Sequence, residues 1–514
     1  MIKSVLVLGA GSAGLLAALS LKRKIGRLAV RVVRSPELGV IGVGESTTPN
    51  VPGHLFDYLG IDRHQFYAMC RPTWKMGIHF LWGPRPSFEY AFEKQMDAQW
   101  SDLPAPHGYY CDNEFDCVNQ GGALMSHGRA FVRQAVSGGP EIPDWAAFHL
   151  YNPRFVATLE AAARSAGIEI VDGKFRQAER GAEGGERSGE ITAIHLEDGR
   201  RLEADFFVDA SGFRSELLGK VLQEPFVSFG SSLFCDRAVV GSWERTDEPI
   251  LPYTTAETMD AGWCWQIEHQ DAVNRGYVFC SQFMSDEQAH AEFMRKNPKA
   301  KTWDHLVKFR SGRYRRLWVE NVVGIGNACG FVEPLESSAL MAACSQCQML
   351  VKLLQLSELT PTPTMRDLYN KVGEATWEEI RDFLSIHYKF NTRLDTEFWR
   401  HCREKVDIGG AAEFVAFYQE NGPTGLCRHQ LRNTLGNGNQ FGLEGFLVML
   451  VGQCVPYRAA HVPTAEERRI WDTHRVQFRL GAQKGVDVKE ALGWIHHPAW
   501  SWNNRRVPTE MARA

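Results

Sequence analysis

The sequence has no apolar run long enough to cross a membrane and no signal peptide at its amino terminus. Residues 2–8 lead straight into a glycine-rich turn without a small-residue cleavage site, and no apolar run reaches the roughly 18 residues of a span. Lys and Arg are scattered along the chain, and the formal net charge is −4, which argues against nucleic-acid and anionic-membrane partners. We therefore expect a cytoplasmic protein with neither kind of partner.

Cysteines in a metal-binding arrangement are also missing. Of the 12 cysteines, Cys344 and Cys347 form a C-x-x-C, but they lie in an Ala-rich helical stretch with no second pair nearby. Zinc sites usually need a second pair of ligands, whereas small residues in the core of a helix need none. We expect reduced cysteines and no metal site.

The chain begins with the order strand, glycine-rich turn, helix, strand. Residues 5–8 are predicted as a buried strand, residues 9–14 read G-x-G-x-x-G, and residues 29–33 are predicted as a second strand. This is the context that a dinucleotide fingerprint requires, because the glycines admit a pyrophosphate to the start of the helix. The acidic residue expected about 20 residues later for a ribose hydroxyl is replaced by Arg34 and Ser35. These residues leave NAD, NADP and FAD all open.

The composition of the chain changes near residue 361. Before it, strands that end in glycine-rich turns recur. After it, helical patterns predominate, and the Pro-x-Pro at residues 361–363 marks a boundary between two domains, 1–360 and 361–514. The main predicted elements are a hairpin at 190–202, strands at 206–209 and 321–326, and helices at 340–356, 365–390, 411–421, 443–451 and 465–480.

Four segments resemble the flavin-dependent halogenases, specifically the tryptophan-halogenase-like group. They are residues 42–49 (GVGESTTP), 209–215 (DASGFRS), 326–337 (GNACGFVEPLES) and the predicted helices within 380–400. The resemblance implies an α/β flavoprotein monooxygenase-like structure, with a Rossmann-type FAD-binding fold and a mostly helical C-terminal lobe. Residues 1–360 would be the FAD-binding domain with an inserted substrate-facing sheet and loops, and residues 361–514 the helical substrate-side domain.

The resemblance also implies cofactors and partners. FAD is used as FADH₂, which a separate NAD(P)H-dependent flavin reductase supplies, and together with O₂ and chloride or bromide it yields hypohalous acid. This oxidant then passes through a closed tunnel to a small aromatic substrate. We expect a monomer or a homodimer. The residues expected to bind FAD are Gly9, Gly11, Ala13, Gly14, Ser35, Ile41, Val43, Gly44, Ser46, Phe175, Gly326, Leu335 and Leu340.

Lys75 and Glu336 are the candidate catalytic residues. Lys75 lies in the apolar, strand-like run 72–78, where burying an ammonium group is costly. From the residues alone, a lysine that snorkels to solvent is the simpler interpretation, but the resemblance assigns Lys75 to binding hypohalous acid or forming a haloamine. Glu336 would polarise the oxidant or accept the ring proton, and it also suits a helix N-terminus.

The resemblance places the halide at the backbone N–H groups of Ser338 and Ala339, where a helix is predicted to begin. The family has Thr-Gly at these two positions. If the glycine supplies a positive φ, Ala339 would be strained. If only its N–H is used, alanine serves equally well.

The segment GWCWQIE at residues 262–268 resembles the family's W-x-W-x-I-P. Period-two alternation puts Trp263, Trp265 and Ile267 on one face of a strand, and the resemblance makes that face a tunnel wall. An ordinary aromatic strand face is the alternative. Glu268 replaces the proline and could relax the following turn, because proline fixes φ and glutamate does not.

The substrate site is the least defined part of the resemblance. His107 is a loose match to a family His-x-Phe pair, and Phe446 stands in a region where tryptophan-specific members carry tyrosines. Because no acid-plus-tyrosine clamp is found, free L-tryptophan is doubtful, and an indole-like or other electron-rich aromatic is favoured. Two alternatives stay open: a related FAD-dependent aromatic monooxygenase that hydroxylates, and a flavin-binding module without turnover.

Overall fold

The computed structural model describes residues 1–37, 44–93, 96, 100, 103, 105–111, 118–300, 305–432, 438–498 and 500–502. The chain forms two compact units, each made of three separate segments. Unit 1 comprises Met1–Arg71, Leu150–Gly230 and Phe309–Glu378, and unit 2 comprises Pro72–His149, Ser231–Lys308 and Glu379–Ala514.

These units differ from the consecutive domains 1–360 and 361–514 expected from composition. The boundary near the carboxyl end falls inside the helix Pro363–Lys389 rather than at the prolines before it. The physical reason is sheet pairing: strands from distant parts of the chain pair within one unit, and composition along the sequence carries no record of that pairing.

Unit 1 is built on a six-stranded sheet that is parallel except at one edge. The strand Ser4–Leu8 lies inside the sheet, with Val7 opposite Val32 on one side and Val208 on the other. Such strands are apolar on both faces because helices cover parallel sheets. In spatial order the strands are Glu169–Asp172, Ala29–Arg34, Ser4–Leu8, Phe206–Asp209, Val322–Gly324 and Trp318–Val319.

Helices and two small sheets complete unit 1. The helix Ser12–Lys24 packs against the helices Asn152–Ser165 and Ser338–Leu356. The hairpin predicted at residues 190–202 has its turn at Gly199, whose φ is +90°. The small sheets contain Phe175–Arg180, Ile191–Leu196 and Arg201–Glu203, and Phe226–Ser228, Gly312–Tyr314 and Gly330–Phe331. Shorter elements are Glu45–Ser46, Asn50–Gly53 and Arg63–Cys70.

Unit 2 contains a seven-stranded sheet that is antiparallel except where Thr254–Met259 runs parallel to Gly77–Leu81. One face packs on the helix Asp286–Lys296 through a core that includes Cys264, Tyr277 and Phe293. In order, the strands are His305–Lys308, Arg237–Glu244, Ala272–Phe279, Gly262–Glu268, Thr254–Met259, Gly77–Leu81 and Phe88–Ala91. Thr73–Lys75 pairs separately with Ala147–Leu150, and Val132–Arg133 with Pro140–Glu141.

The remaining helices lie mostly towards the carboxyl end, and the expected α/β fold with a helical C-terminal part is confirmed. Thr464 caps one of these helices in a capping box with Glu467. The helices predicted after residue 361 occur within a few residues of their expected bounds. Those four helices are Pro363–Lys389, Ala412–Asn421, Gly442–Gly452 and Ala465–Gln483. The structure adds Glu397–Lys405, Val488–Ile495 and, earlier in the chain, Gln120–Ser126.

In contrast to the expectation from the sequence, the helix Ser338–Leu356 is long and apolar enough to cross a membrane by length and composition. However, 61% of its apolar window is buried inside the structure. Cys344 and Cys347 both lie buried in this helix, as expected for small core residues. The core helix of a soluble protein has these same properties, so the helix is weak support for a membrane span.

Candidate active site

The glycine-rich turn of unit 1 has the shape that a dinucleotide needs. A Cβ at Gly9 would lie 2.2 Å from the carbonyl oxygen of Ala210, and one at Gly14 would lie 2.0 Å from the carbonyl oxygen of Gly9. At Gly11 a Cβ would meet no atom within 4 Å. Gly11 precedes the helix Ser12–Lys24 without a side-chain cap, so its open side leaves room for a phosphate at the helix N-terminus.

Gly326 belongs to the same end of the sheet. It has φ +63°, and a Cβ there would lie 2.7 Å from Cβ of Ala13. Two segments more than 300 residues apart in sequence are thereby brought together, and both were expected to bind FAD. The backbone crowding at this point explains why the position carries glycine.

Arg34, which left NADP open, is engaged by carboxylates of its own unit. Its Nε donates to Asp172 at 2.7 Å and its Nη1 to Glu160 at 2.8 Å. The hydroxyl of the adjacent Ser35 is buried and has no hydrogen-bond partner among the described residues. This geometry removes the reason to take Arg34 as a ligand of a ribose phosphate and leaves Ser35 available to the cofactor.

The segment around residues 42–49, which resembles the family, is only partly described, because Ile41 and Val43 lie outside the described residues. Gly44 has φ +77° and precedes the short strand Glu45–Ser46. Burial raises the pKa of Glu45 to about 7, and Asn152 donates to its Oε1 at 3.4 Å. Sequence reasoning missed Glu45, although it stands inside the G-V-G-E-S stretch that carries the resemblance.

Three further residues expected to bind FAD lie in unit 1, two of them buried and one packed against the core. Phe175 pairs with Leu196 and packs on the apolar cluster that contains Phe207. Leu335 and Leu340 are buried on either side of the start of the helix Ser338–Leu356. Their packing is established by the structure, and their contact with flavin stays a prediction.

The start of the helix Ser338–Leu356 shows whether the backbone of Ala339 is strained. Ser337 takes the left-handed conformation, with φ +56°, while Ala339 has ordinary helical backbone. The replacement of glycine by alanine therefore carries no strain of the kind that positive φ would impose. The Ser338 hydroxyl is buried without a hydrogen-bond partner in the described part of the chain, and the buried Glu336 ends the turn Pro334–Glu336 just before it.

Lys75 of unit 2 is fully buried at the end of the strand Thr73–Lys75. Its Nζ lies 4.8 Å from the ring centroid of Phe92, within the range of a cation–π contact. Trp74 points to the other face and packs edge-on against Phe131 at 5.0 Å. The snorkelling alternative is wrong, because the side chain has no exposed surface.

His149 lies in the strand next to Lys75 and was not found from the sequence. It stands opposite Thr73 in the ladder, and its Nε2 is hydrogen-bonded to Oγ1 of Thr254 at 2.8 Å. Burial holds the pKa of His149 well below its ordinary value, and the charge of Lys75 lowers it further. A neutral histidine close to a buried lysine is thus part of this site, and no spacing in the sequence signals it.

The two tryptophans share one face of the strand Gly262–Glu268, as predicted. The ring centroids of Trp263 and Trp265 lie 6.2 Å apart, and both rings are buried. Ile267, on the same face, is also buried. A Cβ at Gly276, on the neighbouring strand, would lie 1.9 Å from the Trp265 ring. Any side chain at position 276 would therefore displace the indole.

Glu268 does not act as a loose substitute for proline. It projects to the opposite face from the tryptophans and forms an ion pair with Arg245, with side-chain exposures of 2% and 7%. Gln266 donates to the same carboxylate at 2.6 Å. The turn after the strand is therefore tied down, in contrast to the relaxation expected from the sequence.

The structure links His107 to the helix that carries Phe446. His107 Nε2 donates to Oε1 of Glu444 at 2.7 Å, and the hydroxyl of Tyr110 donates to Oε2. Phe446 packs against Phe383, with ring centroids 4.9 Å apart. An acid and a tyrosine are thus present together, but they bond each other, and the absence of a clamp for an amino acid stays a prediction. They were missed because 334 positions separate them along the chain.

Comparisons with known proteins identify the family of the chain. The family model for Tryptophan halogenase matches residues 4–466. Tryptophan 7-halogenase KtzQ of Kutzneria sp. (strain 744) is 33% identical over 86% of this chain and 85% of the relative. Tryptophan 7-halogenase RebH of Lentzea aerocolonigenes is 29% identical over 91% and 93%.

Two solved structures share the fold over nearly the whole chain. MibH, a lanthipeptide tryptophan 5-halogenase, has a TM-score of 0.85 at 37% identity and covers 96% of this chain and 93% of its own. BrvH, a flavin-dependent halogenase from Brevundimonas sp. BAL3, has a TM-score of 0.80 at 26% identity, with coverages of 96% and 99%. The resemblance stated from the sequence is confirmed: the chain is an enzyme that belongs to the tryptophan-halogenase family of flavin-dependent halogenases.

Proposed function

We propose that the protein chlorinates or brominates the indole ring of a tryptophan-type substrate, using FADH₂ and O₂. The observation that carries this proposal is the complete burial of Lys75 against Phe92 and beside His149. A buried amine in apolar surroundings costs folding free energy, and a chemical role is the reason to keep it. The substrate class is supported by the tryptophan halogenases to which the chain is similar.

FAD is assigned to residues within 1–360. The glycines of residues 9–14 and the helix N-terminus behind them would hold the pyrophosphate, and Ser35 would offer its buried hydroxyl to the cofactor. Bound FADH₂ would supply two electrons to O₂ and the halide the other two, so that hypohalous acid and water form. We assign its supply to a separate NAD(P)H-dependent flavin reductase and the location of both proteins to the cytoplasm.

The halide would bind at the start of the helix Ser338–Leu356. The N–H groups of Ser338 and Ala339 are the first of that helix, and the helix dipole favours an anion there. The buried Ser338 hydroxyl can donate one more hydrogen bond. We assign chloride or bromide to these groups.

Lys75 and Glu336 would carry the halogen transfer. The Lys75 amine would bind hypohalous acid by a hydrogen bond, or form a nitrogen–halogen bond while the oxygen–halogen bond breaks and water leaves. An uncharged buried amine suits the second route. Glu336, also buried, accepts the proton that leaves the ring when the carbon–halogen bond forms. Trp263, Trp265 and Ile267 provide a packed wall that keeps the oxidant from escaping.

The substrate side is assigned to residues within 361–514, with Phe446 as an aromatic contact and His107 as a polar one. The carboxylate of Glu444 already accepts hydrogen bonds from His107 and Tyr110. An amino acid's ammonium group would have to compete for it, which favours an indole whose amine is absent or acylated. An indole within a peptide meets this requirement.

The test incubates the purified protein with FAD, a flavin reductase, NADH and a panel of tryptophan, indoles and tryptophan-containing peptides. Chloride and bromide are supplied separately, and products are identified by mass spectrometry. A halogen isotope pattern that disappears in Lys75→Ala, with FAD affinity retained, supports the proposal. A gain of one oxygen atom that is indifferent to halide and persists in Lys75→Ala would instead identify a hydroxylating monooxygenase.

A further inference from the structure

The ion pair between Arg245 and Glu268 is a feature that halogen transfer does not use. Both side chains are almost fully buried, and the remaining donors of Arg245 bond the carbonyl oxygens of Pro249 at 2.9 Å and His269 at 3.0 Å. A buried pair of this kind is seldom kept for stability alone, since apolar residues of similar volume often replace it without loss. Removing one partner only, however, leaves an uncompensated buried charge.

The backbone of Glu268 is tied to the strand that carries the lysine. The Thr73 hydroxyl donates to the carbonyl oxygen of Glu268, and Gln270 Nε2 donates to the carbonyl oxygen of Pro72 at 3.1 Å. Thr73 and Lys75 point to the same face, because side chains alternate along a strand. The turn after Glu268 therefore fixes the lysine strand two residues before Lys75.

The charges of this region act on one another through a buried environment. The pKa of His149 is held well below its ordinary value by burial and then by positive charge from basic neighbours. These neighbours are Lys75, His269 and Arg245. Glu268 is the carboxylate bonded to Arg245, and its own pKa is raised by burial, with Glu248 as a further acidic neighbour. The positive charges of Lys75 and Arg245 thus act on the same buried histidine. The negative charge of Glu268 partly offsets the charge of Arg245.

We propose that Glu268 is a positioning residue for Lys75: its backbone fixes the lysine strand through Thr73, and its carboxylate offsets the charge of Arg245 within the same cluster. The proposal rests on the function assigned to Lys75 above. Without the carboxylate, the guanidinium charge is uncompensated in a low-dielectric setting, which disfavours protonation of a nearby amine. The protonation change on which halogenation depends would then occur at a lower pH.

The experiment compares the pH dependence of the halogenation rate in the wild type and in Glu268→Gln. FADH₂ is generated photochemically, so that the pH dependence of the reductase does not enter. We expect the inflection to move to lower pH by about one unit in Glu268→Gln and to stay in place in Glu268→Asp, which keeps the charge. Glu257→Gln is the matched control, because Glu257 forms another largely buried pair, with Arg275 at 2.6 Å on the same sheet.

Arg245→Met is the second variant and provides an opposite expectation. It leaves the carboxylate uncompensated, so the inflection should move to higher pH, and the double variant Arg245→Met/Glu268→Gln should return it to the wild-type position. Circular dichroism and thermal unfolding establish which variants are folded. An unchanged inflection in folded Glu268→Gln, or the same direction of shift in both single variants, overturns the proposal. A wild type that gives no halogenated product overturns the proposed function instead.

Discussion

Adding one methyl group at Gly276 tests whether Trp265 closes off the path of the oxidant. Gly276 lies opposite Trp265 in the antiparallel ladder, and a Cβ there would lie 1.9 Å from the indole ring. Carbon atoms in contact are normally about 3.5–4.0 Å apart, so the ring has to move by about 1.5–2 Å in Gly276→Ala. Overpacking of this extent costs about 1–3 kcal/mol of unfolding free energy.

The displaced ring should open the wall without disturbing the cofactor. The residues assigned to FAD belong to the other unit, so FAD affinity should be retained. Hypohalous acid should then escape before it reaches the substrate, and the amount of halogenated product per FADH₂ oxidised should fall. The assay measures product and reduced flavin consumed in the same reaction, together with the thermal unfolding midpoint.

The control for Gly276→Ala is Gly452→Ala in the same unit. A Cβ at Gly452 would lie 2.6 Å from the ring of Phe88, so this variant also forces an aromatic ring to move. It should lower the unfolding midpoint while the product per FADH₂ stays at the wild-type value. Gly276→Ala could be destabilised and still give as much halogenated product per FADH₂ oxidised as the wild type. In that case Trp265 is an ordinary core residue and the tunnel-wall assignment is wrong.

Two further predictions concern unit 1. Gly11→Ala should fold normally but bind FAD more weakly, because the new methyl enters open space that the pyrophosphate would occupy. Gly14→Ala should also unfold more readily, because its Cβ would lie 2.0 Å from a carbonyl oxygen. Fluorescence titration measures FAD affinity, and thermal unfolding measures stability, in both variants. For Glu45, burial raises the pKa from 4.5 to about 7, so the folded apoprotein binds a proton more tightly than the unfolded chain, and its stability should fall as pH rises between these values. Glu45→Gln should remove that dependence in denaturant unfolding, and an identical dependence in both proteins would contradict it.

Local patterns were enough to predict the elements that form within a short stretch of chain. The strand Ser4–Leu8, the glycine turn and the helix Ser12–Lys24 follow one another directly, and the glycines carry the backbone constraints in their identity. The helices beyond residue 361 were found for the same reason, because their apolar positions repeat every turn. Local patterns could not predict which segments make up each unit, because that depends on strand pairings such as Thr254 with Ile78.

The same distinction holds within the site. The tryptophan face follows from period-two alternation, and it is present in the structure. The surroundings of Lys75 come from segments that are not adjacent in sequence, so His149 and Arg245 give no signal of their role until the sheet is assembled. Glu444 with His107 and Tyr110 is a second case, in which a polar cluster forms between residues more than 330 positions apart.

The two departures from the family pattern have different physical consequences, and the contacts at each position decide which. At Ala339 the backbone is helical and the positive φ belongs to Ser337, so the added methyl imposes no backbone strain and the N–H group remains. At Glu268 a charge has been introduced into a buried position, and Arg245, on a neighbouring part of the same unit, compensates for it. Each member of this ion pair depends on the other, because the loss of either one leaves an unpaired charge in a buried position. A proline at position 268 would have no such dependence. The lysine strand is tied to this pair through Thr73, so the departure at Glu268 is the one through which the chemistry of this enzyme can be tuned.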